Sequence, residues 1–384
     1  MADIAPLATY HYVMASIKDE SLTPEKYGRP LIGIRQTGFE DGNEIETETD
    51  EGHTGVANLD MGSYRTTAES SPQWEDKFRY GEWLEDTFYL LLGTYEKEVD
   101  SNESAVYHYA YQMPPNVDKE LPVATIYNGF AKTSTDARAF NNAMLNELEV
   151  NFSADDAPTI NSTYVSDYNN FNLTNPSRAF PTESIFAKAP HTQVFVGAVG
   201  ATAEEMLEVP IDCFSEASFT VNNNAESQSC HADEFGKNTK IMGARETEGS
   251  ITMPWVEGTK YFETEYEAFN KYGYSVSEEI THKQIWFRCY GGDIQKTTTV
   301  NNETVTVGTG IPYETLIKFP VCEITNVESP KSGDEAKDLT MEFKVLEKPE
   351  QSFMTVNITT HLDGLHIDDT GTTLDALKAT LPWE

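Results

Sequence analysis

Hydrophobic and polar positions alternate in short runs through most of this chain, and the runs are separated by joints rich in Gly, Asn and Asp. A period of two puts successive side chains on opposite faces of a strand, so the texture predicts β-structure with one buried face. In NELEVNFS (146–153), Leu148, Val150 and Phe152 point one way and Glu147, Glu149 and Asn151 the other. SEASFTVNN sets Ala217, Phe219 and Val221 against Glu216, Ser218 and Thr220. HKQIWFRCY places Ile285, Phe287 and Cys289 opposite Trp286, Arg288 and Tyr290. LTMEFKVLE places Met341, Phe343 and Val345 opposite Glu342 and Lys344.

Two segments carry a helical period instead. In YGEWLEDTFYLLLG (80–93), Leu84, Phe88 and Leu91 fall at i, i+4 and i+7 on one face, and Gly93 stands as a C-cap. In EGTKYFETEYEAFNKYG (257–273), Phe262, Tyr266 and Phe269 repeat that spacing before Gly273. Weaker helical patterns lie in ATAEEMLEV near residue 205 and in the tail TLDALKATL.

A phrase recurs half a chain apart. ETETDEGHTGVA (46–57) and GARETEGSITMP (243–254) both pass through an acidic step ending in Gly52 or Gly249 and then enter alternating segments. Each half reads as strands, one helix, then three or four strands. The order of elements and the matched helix faces predict an internal duplication. The join falls in 170–210, where NNFNLTNPSRAFPTES is rich in Pro and Asn. The expected organisation is a first domain at 1–175 with an N-terminal arm, a linker at 176–210, and a second domain at 211–384 with a C-terminal arm.

Charge narrows the function classes. Asp plus Glu number 63 against 27 Lys plus Arg, a formal net of −36. Phosphate neutralisation needs clustered cations, so nucleic-acid binding of that kind is excluded. Such an acidic surface serves solubility or repels something anionic. The opening MADIAPLATYHYVMASIKDE lacks a basic, then apolar, signal segment, and no run is long enough to span a bilayer, so a protein kept in a cytoplasm is expected. Cys213, Cys230, Cys289 and Cys322 show no C-x-x-C spacing, and Cys289 and Cys322, in apolar strand-like runs, read as buried thiols.

No phosphate-binding loop, nucleophile elbow or metalloprotease motif is present. The densest group of candidate ligands is HLDGLHIDDTG, with His361, Asp363, His366, Asp368 and Asp369. Its spacing matches no metal site and reads as a solvated loop. Neither a metal nor another cofactor is expected, and no enzyme activity.

The strand NELEVNFSADD with TINSTYVSDY after it, the later SEASFTVNNNAE with its Asn222–Asn224 step, and GARETEGSITMPW ahead of the second helix resemble the tail tube proteins of long, non-contractile-tailed bacteriophages. The resemblance covers about residues 40–347 as a pattern of elements. It implies a mainly β fold of two tandem β-sandwich or barrel-like domains, each with one flanking helix. Neighbouring subunits join their sheets into a ring-shaped barrel, and rings stack into a hollow tube that DNA traverses without specific binding. A doubled domain implies trimeric rings of pseudo-sixfold symmetry. Hexameric rings of one elaborated domain are the alternative.

On that reading Glu147 and Glu149, with Glu323 and Glu342 in the second copy, face the lumen. Leu84, Phe88, Leu91, Phe262, Tyr266 and Phe269 pack the helices on the sheets. The implied partners are further copies of the chain, a tape-measure protein, a tail terminator, and baseplate or distal tail proteins. Assembly takes place in the bacterial cytoplasm, no membrane is involved, and the product resides in the virion tail. The first 40 residues, 60–78, 155–210 and the tail after 348 are candidates for contacts between rings. A carbohydrate-binding or adhesive β-sandwich, a glycosidase on a β-scaffold, and the tube of a contractile particle or secretion system are the rival readings.

Overall fold

The computed structural model describes residues 11–18, 32–34, 37–49, 63–113, 121–130, 137–167, 170–173, 185–188, 191–208, 210–211, 213–228, 239–254, 282–300, 303–328, 338–347 and 352–366. The first half contains β1 (His11–Lys18), β2 (Ile32–Ile34), β3 (Thr37–Glu40), β4 (Asn43–Thr49), β5 (Ser63–Ser70), β6 (Gln73–Lys77) and β7 (Arg79–Tyr80). Helix α1 (Leu84–Leu92) follows, then β8 (Thr94–Val99), β9 (Tyr107–Gln112), β10 (Val123–Phe130), β11 (Ala137–Ser153), β12 (Thr159–Asp167) and β13 (Asn170–Leu173). The second half contains β14 (Ile185–Phe186), β15 (Thr192–Ala198), a short helix α2 (Ala203–Leu207), β16 (Glu216–Asn222), β17 (Glu226–Gln228), β18 (Thr239–Ile241) and β19 (Glu246–Pro254). It closes with β20 (His282–Val300), β21 (Glu303–Glu328), β22 (Asp338–Val345) and β23 (Thr355–Thr360). The protein is mainly β, as the alternation predicts.

Strand pairing repeats along the chain. In the first half β3 pairs β6, β6 pairs β12, and β12 pairs β11, all antiparallel. In the second half β16 pairs β19, β19 pairs β22, and β22 pairs β21, again all antiparallel. The two four-stranded runs meet at β11 and β16, where seven residue pairs from Glu147↔Asn222 to Ser153↔Glu216 form one ladder. A second layer repeats as well. β1 pairs β10 and β10 pairs the first part of β11, while β15 pairs β20 and β20 pairs β21. Both β11 and β21 therefore pass from one layer to the other. Each carries a register break there, at Leu145/Glu147 and at Ile324/Asn326. A bulge adds twist and bends a strand, which lets it change partners. Within one chain the described strands form an open sheet, not a closed barrel.

One core serves both halves. Phe152 of β11 stacks on Phe287 of β20 at 5.1 Å, and Phe219 of β16 meets Phe319 of β21 edge-on at 5.0 Å. Gly249 lies beneath this cluster. A Cβ there would sit 2.5 Å from the Phe343 ring and 2.5 Å from the Ser218 carbonyl oxygen. The glycine that ends the second acidic phrase thus makes room for an aromatic ring, while Gly52 and the predicted helix with Phe262, Tyr266 and Phe269 lie outside the described residues. The tail pattern TLDALKATL lies outside them too. The pattern near residue 205 is realised as α2, whose Thr202 and Glu205 form a capping box. Met206 of α2 covers Trp286, burying a side chain on the face opposite Phe287.

Helix α1 is buried on every face, Glu85, Asp86 and Thr87 included, so Leu84, Phe88 and Leu91 mark only part of its contact surface. Gly93 ends it in the left-handed conformation at φ 80°, as expected of a C-cap glycine. Its first turn is held by the segment after β23. His366 Nδ1 lies 2.6 Å from Asp86 Oδ2, and the His366 amide donates to Asp86 Oδ1 at 2.7 Å. The Gly364 amide donates to the Tyr109 hydroxyl, which in turn donates to the Leu362 carbonyl. Leu362 and Gly364 to His366 therefore form a buried strap across the helix start where the sequence predicts a solvated loop, while Asp363 stays exposed. Asp368 and Asp369 lie outside the described residues. Burial raises the Glu85 carboxyl to about 7, against a hydrogen bond from the Gly81 amide that favours its charged form.

Two outcomes follow from this core. Phe219→Ala empties space shared by both halves and should cost about 3–5 kcal/mol, lowering a single urea transition; two separate transitions would show that the halves fold apart. Glu85 binds its proton more tightly folded than unfolded, so its stabilising contribution is complete below pH 4.5 and is lost as pH rises to about 7. Glu85→Gln should remove about 3 kcal/mol of that loss, read as a flatter melting temperature between pH 5 and 8.

Candidate functional site: an acidic face across eight strands

The outward face of the eight-stranded run carries the chain's most ordered array of charge. The register aligns its polar positions into rows. One row reads Glu75, Asn161, Glu149, Thr220, Glu248, Lys344 and Glu323 across β6, β12, β11, β16, β19, β22 and β21. A second reads Glu40, Gln73, Thr163, Glu147, Asn222 and Glu246. A third reads Lys77, Thr159, Asn151, Ser218, Ser250, Glu342 and Asn326. The inward positions between them, such as Leu148, Val150, Phe219, Ile251 and Met341, are fully buried.

The rows obey one rule among the described residues. No carboxylate on this face stands directly opposite another. Glu147 lies between Thr163 and Asn222, Glu149 between Asn161 and Thr220, and Glu342 between Ser250 and Asn326. Glu248 and Glu323 both face Lys344. Like charges directly opposite on a sheet repel, so amides and hydroxyls act as spacers. They also bind: Asn161 Nδ2 donates to Glu149 at 3.1 Å, Asn222 Nδ2 to Glu147 at 3.3 Å, and Gln73 Nε2 to Glu40 at 2.8 Å. Hydroxyl pairs Ser218–Ser250 (3.2 Å) and Thr252–Thr340 (3.1 Å) fill the uncharged rungs. A shallow hollow of about 410 Å³ lies among Gln73, Glu75, Glu147, Glu149 and Asn161.

All four acids expected from sequence, Glu147, Glu149, Glu323 and Glu342, fall on this face. Glu40, Glu75, Glu246 and Glu248 join them there. Glu246 and Glu248 were legible as the outward residues of an alternating strand, whereas Glu40 and Glu75 emerge only from the register of β3 and β6.

The Asn step fixes the joint at the middle of this face. Asn224 sits at φ 47°, and its amide donates to Asn222 Oδ1 at 2.7 Å. Asn223 is buried. Its amide donates to the Asn146 carbonyl at 2.7 Å and its side chain to the Leu145 carbonyl at 2.8 Å, both at the bulge of β11. Arg245 Nε donates to Asn223 Oδ1 at 2.6 Å, and the same guanidinium lies 4.4 Å from the centre of the Phe353 ring. Burial pulls the guanidinium down to about 10. These contacts lock β16 against β11, so the acids on either side of the joint keep their spacing.

Among the described residues no group of three or more His, Cys, Asp or Glu is placed to hold a metal ion. Burial pushes the Cys289 thiol up to about 12 and the Cys322 thiol higher still, while Cys213 is exposed. No helix among the described residues is long and apolar enough to cross a membrane. The spacer rule has a direct test. Asn161→Asp would put a carboxylate directly between Glu75 and Glu149 and should cost about 0.5–1 kcal/mol, read as a lower urea midpoint that recovers in high salt. An unchanged midpoint at low salt would remove the spacer role.

A search against curated proteins finds no match for this chain. A family model described as "Phage tail tube protein" matches residues 25–281, a span that includes the β11·β16 joint and six of the eight strands of the run.

 These six are β3, β6, β12, β11, β16 and β19. The match covers well over half of the chain, and the protein belongs to the phage tail tube protein family.

Proposed function

We propose that this chain is the major tail tube subunit of a long, non-contractile phage tail and that its acidic face lines the lumen. The observation that carries the reading is the repeated strand order, β3-β6-β12-β11 and then β16-β19-β22-β21, under one continuous acidic face. β21 stands in its run where β11 stands in the first, and β3 stands where β16 stands. The β11·β16 ladder inside the chain is then the template for a β21·β3 ladder between chains. Each copy supplies two equivalent sectors, and three copies close a ring of pseudo-sixfold symmetry. Closure removes the open sheet edges. The domains at 1–175 and 211–384 are these two sectors.

The charge fits the task. A wall with clustered lysines would hold DNA by its phosphates, whereas a carboxylate wall repels it and lets it slide. A tape-measure protein inside the growing tube, a terminator at one end, and distal tail or baseplate proteins at the other are the partners of this reading. Assembly takes place in the bacterial cytoplasm, and the product serves genome delivery.

The lumen assignment is tested by reversing charge on the face. Glu147 and Glu149 project outward from a strand whose inward residues are buried and face only uncharged partners, so Glu147→Lys with Glu149→Lys should leave the fold intact. Assembled tubes of the double variant should retain short duplex DNA at about 50 mM salt and release most of it by about 200 mM. The retained DNA should resist nuclease, and wild-type tubes should retain none. Retained DNA that nuclease digests freely would place this face on the outside.

A further inference from the structure

The second half carries a feature that its counterpart in the first half lacks. β15 pairs β20 only as far as Cys289, and β23 pairs β21 only as far as Glu314. Beyond a double register break at Asp293 the two strands continue alone, from Gln295↔Gly308 to Val300↔Glu303. Ile294 is fully buried and anchors the base. Lys296 Nζ bonds Glu103, in the turn between β8 and β9, at 2.6 Å. Six residues per strand make a ribbon about 20 Å long.

Two properties set this ribbon apart. A two-stranded ribbon is marginal in water without further packing. This one also presents Thr297, Thr304 and Thr306 as exposed side chains and leaves Val307 36% exposed. In addition, residues 295–309, QKTTTVNNETVTVGT, hold one acid and one base in a chain of net charge −36. Two copies of so acidic a protein repel each other over most of their surface. A neutral, Thr- and Val-rich arm approaches a second copy without that penalty.

We infer that the ribbon Gln295–Gly308 docks on a second copy of this chain in the adjacent ring and holds successive rings together. The inference rests on the tube reading. Strands of a closed barrel run at a tilt to its axis and end at its rims. A ribbon that prolongs β20 and β21 past their neighbours therefore leaves the ring at a rim, toward the next ring, and not sideways toward a neighbour in the same ring. Threonine hydroxyls and the valine side chains supply hydrogen bonds and apolar contact at that junction. The contact is heterologous, so it repeats without closing, as a filament requires.

The test separates ring formation from stacking. Wild-type protein, a shortened form in which Thr297–Thr306 is replaced by Asn-Gly, and the double variant Thr297→Glu, Thr304→Glu, whose positions are not directly opposite each other, are compared by native mass spectrometry and electron microscopy. Wild-type rings and tubes establish the tube reading itself; a wild-type protein that forms neither overturns that reading, and the inference with it. Both variants should keep the ring mass while tube length falls at least tenfold, and the glutamate variant should regain length in high salt. Tubes of wild-type length from the glutamate variant would overturn the inference, whatever the shortened form does. The glutamate substitutions lie on exposed positions, so loss of folding does not confound that arm.

Discussion

The pairing of β11 with β16 is the joint on which the molecule depends. It makes one sheet from the two halves of the chain and sets both hydrophobic faces on one core. A strand that slipped by one residue there would turn Leu148, Val150 and Phe152 outward and bring Glu147 and Glu149 into the aromatic cluster. Several features converge to prevent this. The bulge at Leu145/Glu147 sets the starting point, Asn223 grips the backbone at that bulge, and Arg245 holds Asn223 from the other side. The buried polar groups cost desolvation but are hydrogen-bonded, so they specify register as well as stability.

The acidic face is a consequence of that register. A sheet with this many carboxylates is stable only if repulsion is kept off the closest cross-strand sites. Here each acid faces an amide, a hydroxyl or Lys344, and Glu323 also faces His282 on β20. The face thus holds a dense negative field without placing charges in the positions where they would unpick the ladder. The same field that repels a polyanion from the surface also repels another copy, which is why the neutral ribbon and the paired sheet edges carry the work of assembly in this account.

The sequence made some of this legible and hid the rest. Strict alternation in NELEVNFS, SEASFTVNN and LTMEFKVLE identified inward and outward residues correctly, because each strand has one face on the core. The Leu84, Phe88 and Leu91 spacing located α1 but marked one face of it, whereas Glu85 and Asp86 are buried as well. The partner of Asp86, His366, lies 280 residues away, and no local pattern announces such a contact. For the same reason the HLDGLH segment read as a loop. The glycine of the second phrase, Gly249, has a physical cause in the Phe343 ring above it, which only the pairing of β19 with β22 brings there. The strand order repeats between the halves, whereas the two written phrases fall in different surroundings, one beginning in β4 and the other in β19 of the central sheet.

The central claim is that a ladder inside one chain is repeated between chains. High-resolution electron microscopy of assembled rings tests it most directly. The account predicts three chains per ring, with β3 of one copy antiparallel beside β21 of the next and the acidic rows continuous around the lumen. A ring with another number of chains, or a β21 edge covered by any other segment, would contradict it.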